Sequence, residues 1–143
     1  MIEDIRIFNR YYARVLGIFN NKYLDVDFTP TEVRIIGEIG RNPGITAKQI
    51  AAYLFLDKSY LSRVIRKLAD DEIIQRQRSE SDARTMPLSL TEKGLLLHYE
   101  LDCRANTRIE KQIDKLSDSE KEDLVKSMNR IQELLSRDEE SFV

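Results

Sequence analysis

Two short amphipathic helices joined by a tight turn constrain the fold of this chain more than any other feature. Residues 46–49 have the pattern of a capping box, in which Thr46 and Gln49 each cap the other's backbone N–H. Residues 55–57 then interrupt the apolar period, and Asp57 is a good cap for a second helix. Two helices separated by about three residues predict a helix-turn-helix.

Apolar residues at steps of three and four predict further helices on both sides of this unit. We expect them at residues 3–23, from the cap Thr29 to about residue 40, at residues 92–116, and from the cap Ser117 onward. The longest of these carries an apolar side, parts of which are marked by Leu96, Tyr99, Cys103, Ile109 and Ile113.

Strand character appears only between the predicted helices. Residues 73–78 and 86–90 alternate or favour β structure, and the polar stretch 79–85 separates them. This pattern predicts a β-hairpin with a long charged tip. The fold class is therefore mainly α with a small β-hairpin.

Composition excludes several other classes of protein. The 143 residues fit one domain, and 41% hydrophobic with 34% charged residues is ordinary for a soluble globular chain. No apolar run approaches the ~18 residues of a membrane span, and a single cysteine suits the cytoplasm. One histidine and one cysteine are too few for a structural zinc site, so we expect no metal and no cofactor. No catalytic pattern appears, so we expect no enzyme.

The second helix of the helix-turn-helix presents a polar stripe opposite its apolar side. The stripe positions follow i, i+3, i+4 and i+7: Ser59, Ser62, Arg63 and Arg66. Arginine can bridge guanine O6 and N7, and serine can bond several base edges. Tyr60 flanks the stripe and can pack on a sugar, while Lys48, Lys58 and Lys67 lie to the sides, where phosphates would be. A solvated helix face would show the same pattern, so both interpretations stay open.

Charge distribution points to the same region. The net charge is −2, but residues 41–91 carry 9 basic and 6 acidic residues, against 14 and 19 in the rest. Binding a polyanion needs local positive potential rather than a high overall pI. Arg76, Arg78 and Arg84 lie in the hairpin, where an arginine at the tip can enter a minor groove. Chance would explain the charge split equally well.

Taken in order, these motifs resemble the MarR family of winged helix-turn-helix transcription regulators. The resemblance runs from Thr29 to Gly94, and its segments are the helix start at Thr29 and Pro30, residues 45–51, residues 58–68, Asp82 with Arg84, and residues 90–94. It implies a homodimer built from a single domain, residues 1–143. Residues 1–28 and 92–143 would form dimerisation helices, and residues 29–91 a DNA-binding lobe with the hairpin as its wing.

The resemblance also implies roles for particular residues. Ser59, Ser62 and Arg63 would face bases, Lys48 the DNA backbone, and Arg84 the wing tip, where Asp82 would orient it. Adding the flanking residues gives the predicted DNA contacts: Lys48, Lys58, Ser59, Tyr60, Ser62, Arg63, Arg66, Arg78, Asp82 and Arg84. The family implies repression at a pseudo-palindromic operator until a small phenolic or anionic effector, or an oxidant, weakens binding.

Candidate effector and sensor residues each have a simpler alternative. Tyr11, Tyr12, Arg14 and Phe19 would line a ligand pocket by analogy with the family, although aromatics at helical spacing are more often core or dimer interface. Cys103 is a candidate redox sensor, but a lone cysteine on an apolar side is more often plain core, which we predict. His98 is a candidate pH or ligand contact, and a histidine without a role is the simpler interpretation.

Two departures from the family pattern affect local geometry. Family members usually have glycine where this chain has Phe55 in the turn and Glu72 before the wing. Glycine tolerates positive φ and phenylalanine does so only at a cost, so we expect a tighter or repacked turn. Ala83 replaces a frequent second wing arginine, which predicts a weaker phosphate contact. The alternative function is a winged-helix module for protein interaction or dimerisation, without specific DNA binding.

Overall fold

The computed structural model describes residues 1–20, 23–77 and 86–136. Its helices and strands, in chain order, are α1 (Ile2–Leu16), a 3₁₀ turn (Tyr23–Asp25), α2 (Pro30–Arg41), α3 (Ala47–Leu54), α4 (Lys58–Asp70), β1 (Ile74–Arg76), β2 (Leu88–Leu90), α5 (Glu92–Ile113) and α6 (Asp118–Leu135). This confirms the predicted fold class, mainly α with a small antiparallel hairpin. The chain divides into two compact units, Met1–Cys103 and Arg104–Val143, with the boundary inside α5.

Local capping chemistry places four helix starts where the sequence predicts them. The caps are Thr29, Thr46, Asp57 and Ser117, and each side chain accepts a backbone N–H of the first helical turn. The boxes at Thr46 and Ser117 are complete, because the third helical residue, Gln49 or Glu120, bonds back to the cap's own N–H.

The first helix ends earlier than predicted, at Leu16 rather than near residue 23. Gly17 follows with a left-handed φ of 73°, and its N–H bonds to carbonyl oxygens of the last helical turn. A glycine in this conformation is a common helix C-cap, and it stops α1 although the apolar period continues. Tyr23 therefore lies in the separate 3₁₀ turn.

The core of the first unit is formed by α2, α3, α4 and the wing. Its most deeply buried side chains are Ile35, Ile36, Ile39, Ile50, Leu61, Leu68 and Leu88. In α2, Ile35 is buried and Val33 is half-buried. In α4 the predicted apolar side is buried, and it consists of Leu61, Val64, Ile65 and Leu68.

The wing has two short paired strands, shorter than the stretches predicted for them. Ile74 pairs with Leu90 and Arg76 with Leu88, so Met86 lies outside the ladder. On its other side, Leu88 donates its N–H to the Ile45 carbonyl at 2.8 Å. The segment that precedes α3 therefore acts as a third, minimal strand and ties the helix-turn-helix to the wing.

The apolar side of α5 is mostly exposed on this chain, and the prediction that Cys103 is core is wrong. Leu96, Tyr99 and Ile109 are more than half exposed, Cys103 is exposed, and Ile113 is half-buried. The side chain that α5 does bury is Leu101. The helical period of these residues was predicted correctly.

His98 is half-buried and packs against α2. A Cβ added at Gly40 would lie 2.6 Å from its ring, so the glycine provides the room for the imidazole. Its Nε2 lies 3.7 Å from an Asp102 carboxylate oxygen on the next turn. Within the described residues no helix is both long and apolar enough to cross a bilayer.

Candidate nucleic-acid interface

The exposed face of α4 gathers the predicted stripe on one surface. Ser59, Ser62, Arg63 and Arg66 are all exposed, while the opposite side of the helix packs into the core. Two features fix the position of the helix. The Asp57 carboxylate caps its first turn by accepting the Tyr60 N–H at 2.9 Å, and its apolar side is buried in the core. Rigid support of this kind lets an outward side chain approach a ligand at a defined position.

The two arginines of the stripe keep their donors available. Across residues 1–20, 23–77 and 86–136, no side chain forms an ion pair or hydrogen bond with Arg63 or Arg66. A guanidinium group in this state can bond a carboxylate, phosphate or guanine without first breaking an internal contact. Lys58 is exposed at the start of α4, Lys48 is exposed in the first turn of α3, and Tyr60 is half-buried.

Lys67 has a structural partner that the sequence did not reveal. Its ammonium lies 2.9 Å from a carboxylate oxygen of Glu32, which is buried at the start of α2. The pKa of Lys67 is raised above its usual 10.5, chiefly by this hydrogen bond. The pair joins α2 to α4, and its partners are too far apart in sequence for any local pattern to predict it. Lys67 therefore differs from Lys48 and Lys58, whose ammonium groups form no such pair among the described residues.

The turn between α3 and α4 keeps the backbone conformation that glycine would take. Phe55 has φ 54° and ψ 41°, in the left-handed region, and Glu72 before the wing has φ 59°. The expectation of a tighter or repacked turn at Phe55 is therefore wrong. The N–H groups of Phe55 and Leu56 both bond to the Ala51 carbonyl, which fixes the turn despite a conformational cost of roughly 1–2 kcal/mol per residue.

The wing tip lies outside the described residues. Arg76 ends β1 and is exposed, whereas Arg78, Asp82 and Arg84 belong to residues 78–85 and their placement is not described. The base of the wing is well defined, because Gln77 N–H bonds to the Pro87 carbonyl at 2.9 Å. The strand β1 packs against α4.

The candidate effector residues cluster at the end of α1. The guanidinium carbon of Arg14 lies 5.8 Å from the centre of the Tyr11 ring, a cation–π distance. Tyr12 stacks on Phe8 with ring centres 5.5 Å apart. Tyr11 and Arg14 are exposed, Tyr12 is half-buried, and Phe19, beyond the helix, is largely exposed.

Comparison with known proteins places the chain in a family. The model of the MarR family matches residues 26–85. The HTH-type transcriptional regulator PetP of Rhodobacter capsulatus is 37% identical over 75 residues, which cover 52% of this chain and 45% of PetP. The HTH-type transcriptional regulator SarZ of Staphylococcus haemolyticus is 30% identical over 105 residues, covering 73% of this chain and 70% of SarZ. The chain belongs to the MarR family.

Solved structures agree with this MarR assignment. The crystal structure of Streptococcus pneumoniae FabT in complex with DNA has a TM-score of 0.73 and 26% identity, covering 94% of each chain. The family resemblance inferred from the motifs is therefore confirmed, and with it the winged helix-turn-helix fold. The match to PetP spans less than half of that relative's length. PetP and SarZ are both named as transcriptional regulators, not as enzymes.

Proposed function

We propose that this MarR-family chain is a sequence-specific DNA-binding transcription regulator that acts in the cytoplasm. In this proposal it binds a pseudo-palindromic operator as a homodimer and represses transcription until a small phenolic or anionic ligand releases it. The main support is the outward stripe of α4, which offers two serines and two arginines on a helix fixed by its cap and its buried side. The structural similarity to FabT, which was crystallised with DNA, adds to this support.

Each part of the proposed interface has a different task. Ser59, Ser62, Arg63 and Arg66 face base edges in the major groove, and Tyr60 packs beside them. Lys48 and Lys58 contact phosphates, which orient the lobe without reading sequence. The wing residues Arg78, Asp82 and Arg84, which lie outside the described residues, add affinity from the minor groove.

A pair of alanine variants separates base reading from phosphate binding. Arg63→Ala should weaken binding to the DNA that flanks the protein's own gene by roughly 1–3 kcal/mol, with little effect on scrambled DNA. Lys48→Ala should weaken both by similar amounts and lower the slope of log affinity against log salt by about one. Fluorescence anisotropy over a range of salt concentrations measures both quantities.

Two results would contradict this part of the proposal. An equal loss on both DNAs for Arg63→Ala would show that Arg63 contacts only phosphate. If the unmodified protein showed no preference for any genomic fragment, the alternative of a protein-interaction module would replace DNA reading as its function.

The homodimer is supported by the apolar surface that each unit leaves exposed. In the first unit, the exposed apolar residues of α1 include Ile2, Ile5, Ile7, Phe8 and Tyr11. In the second unit, Leu124, Met128, Ile131 and Leu135 of α6 follow a 4-3-4 spacing, which is typical of a helix that packs against another helix. Apolar surface on this scale usually marks an interface. We therefore infer that residues 1–28 and 92–143 of the single domain pack against a second copy.

Charge placed in the α6 row should separate the subunits. We expect sedimentation equilibrium to give twice the chain mass for the unmodified protein, and a shift toward monomer for the double variant Met128→Glu/Ile131→Glu. Lys126→Glu is the matched control, because it changes the net charge equally but lies on the opposite side of α6. A double variant that stays dimeric, or an unmodified protein that is monomeric, would contradict the proposal.

The effector site is proposed at Tyr11, Tyr12, Arg14 and Phe19. Aromatic rings with a guanidinium group among them suit an aromatic anion, which can stack on the rings and pair with Arg14. Calorimetry with 4-hydroxybenzoate should detect binding that Arg14→Gln weakens, and the ligand should release operator DNA. The same affinity in Arg14→Gln would remove Arg14 from the site.

A further inference from the structure

The turn that precedes α4 exposes an aromatic ring on a strained backbone. Phe55 is 74% exposed and adopts a left-handed φ of 54°. Neither feature stabilises the free chain, because glycine would adopt this φ without a steric penalty and an exposed phenyl ring contributes no burial. Both disadvantages occur at one position, which suggests that the ring contacts something outside the subunit.

The surroundings of Phe55 indicate what that contact is. Tyr53, in the last turn of α3, is also largely exposed, and we call Tyr53 and Phe55 the turn aromatics. Lys58, the first residue of α4, is exposed three residues after Phe55, and Lys48 is exposed in the first turn of α3. The neighbouring carboxylate, Asp57, is bonded to the Tyr60 N–H as the helix cap. The partner therefore has to offer apolar groups close to negative charge.

We propose that the turn aromatics extend the DNA interface. At the edge of a major groove, deoxyribose and thymine methyl groups lie next to phosphates, which matches an exposed aromatic ring three residues before the exposed Lys58. Phe55 precedes Lys58, the first residue of α4, by three residues, a span of at most about 11 Å. When the start of α4 reaches base edges, the ring packs on a sugar or a methyl group beside the bases contacted by Ser59. This inference rests on the proposed DNA-binding function.

Replacing Phe55 by glycine should change the stability and the DNA affinity in opposite directions. Phe55→Gly should raise the melting temperature, because it relieves the left-handed strain, and should weaken operator binding about tenfold, or ~1.4 kcal/mol. That loss fits partial burial of one aromatic side chain. The slope of log affinity against log salt should not change, because the ring displaces no counterions. Phe55→Tyr keeps the ring and should keep the affinity.

Glu72→Gly is the matched control, because Glu72 has the same backbone strain but lies at the other end of α4. It should raise the melting temperature and leave operator binding unchanged. If Phe55→Gly is stabilised and binds the operator as tightly as the unmodified protein, Phe55 does not contact DNA and this inference is wrong. If that variant binds normally but fails to regulate a reporter gene, Phe55 contacts a protein partner instead, which also overturns the inference.

The same assay separates failure of this inference from failure of the proposed function. Operator binding that is weakened by Arg63→Ala but not by Phe55→Gly leaves the function intact and removes only the turn aromatics. An unmodified protein without operator preference refutes the proposed function and, with it, this contact.

Discussion

Gly94 holds the base of the wing against α5, and its replacement by alanine should destabilise the first unit. A Cβ on Gly94 would overlap the carbonyl oxygen of Ile73 and lie 3.1 Å from the carbonyl carbon. The atom nearest to the added Cβ is a backbone carbonyl oxygen, which cannot rotate away as a side chain can. Either the Ile73 carbonyl or the first turn of α5 has to move by about 1 Å to restore normal contact.

The size of the effect follows from what this movement breaks. The Ile73 carbonyl accepts hydrogen bonds from the Thr91 N–H at 3.0 Å and from the Thr91 hydroxyl at 3.2 Å. Losing the bond from the Thr91 N–H removes roughly 1 kcal/mol, and overpacking adds roughly 1–3 kcal/mol, because Ile73 is itself buried. We expect a loss of about 3 kcal/mol, equivalent to about 10 °C in melting temperature for a chain of this length.

Chemical denaturation at one fixed protein concentration measures this loss, since association would otherwise shift the result. Hydrogen exchange of the Thr91 amide reports directly on the bond to Ile73. Gly37→Ala is the control, because the nearest atoms to its Cβ would belong to the flexible guanidinium of Arg41 and alanine favours a helix interior. If Gly94→Ala unfolds within 1 kcal/mol of the unmodified protein and Thr91 stays protected, the close approach at Gly94 has no energetic importance.

Three further predictions concern the pair between α2 and α4, the strained residue before the wing, and the last helix cap. The pKa of Lys67 is raised in the folded state, so its pair with Glu32 contributes its full stabilisation below pH 10.5, and this stabilisation is lost as the pH rises above that value. The difference in stability between the unmodified protein and Lys67→Met should therefore shrink above pH 10.5. A difference that stays constant would contradict the role of the pair. Glu72→Gly should stabilise by up to ~1 kcal/mol in thermal unfolding, and a lower melting temperature would show that the left-handed backbone carries no strain. Ser117→Ala should cost about 1 kcal/mol, because the Glu120 N–H loses its acceptor at 3.2 Å, whereas Ser136→Ala at the other end of α6 should be nearly neutral in the same denaturant titration.

The features that sequence predicted well depend on neighbouring residues. The caps at Thr29, Thr46, Asp57 and Ser117 need only a polar side chain three residues before a free N–H. The buried and exposed sides of α4 follow from its helical period. The candidate stripe could therefore be predicted without knowledge of any long-range contact.

Other features needed the folded chain because their partners are far apart in sequence. The ion pair between Glu32 and Lys67 and the bridge between Ile45 and Leu88 connect elements that no local pattern links. The apolar side of α5 was recognised as helical, but periodicity does not say what covers it, and Cys103, which was predicted as core, is exposed on this chain.

What the sequence determined by itself was the order of elements, their caps and the outward stripe of α4, because capping and amphipathic period are local properties of the chain. Tertiary structure decided the backbone conformation of Phe55 and Glu72. Both residues have left-handed φ values, which their side chains disfavour. The hydrogen bonds and packing around each turn outweigh that local preference, and a preference of roughly 1–2 kcal/mol is small beside the burial of the core around it.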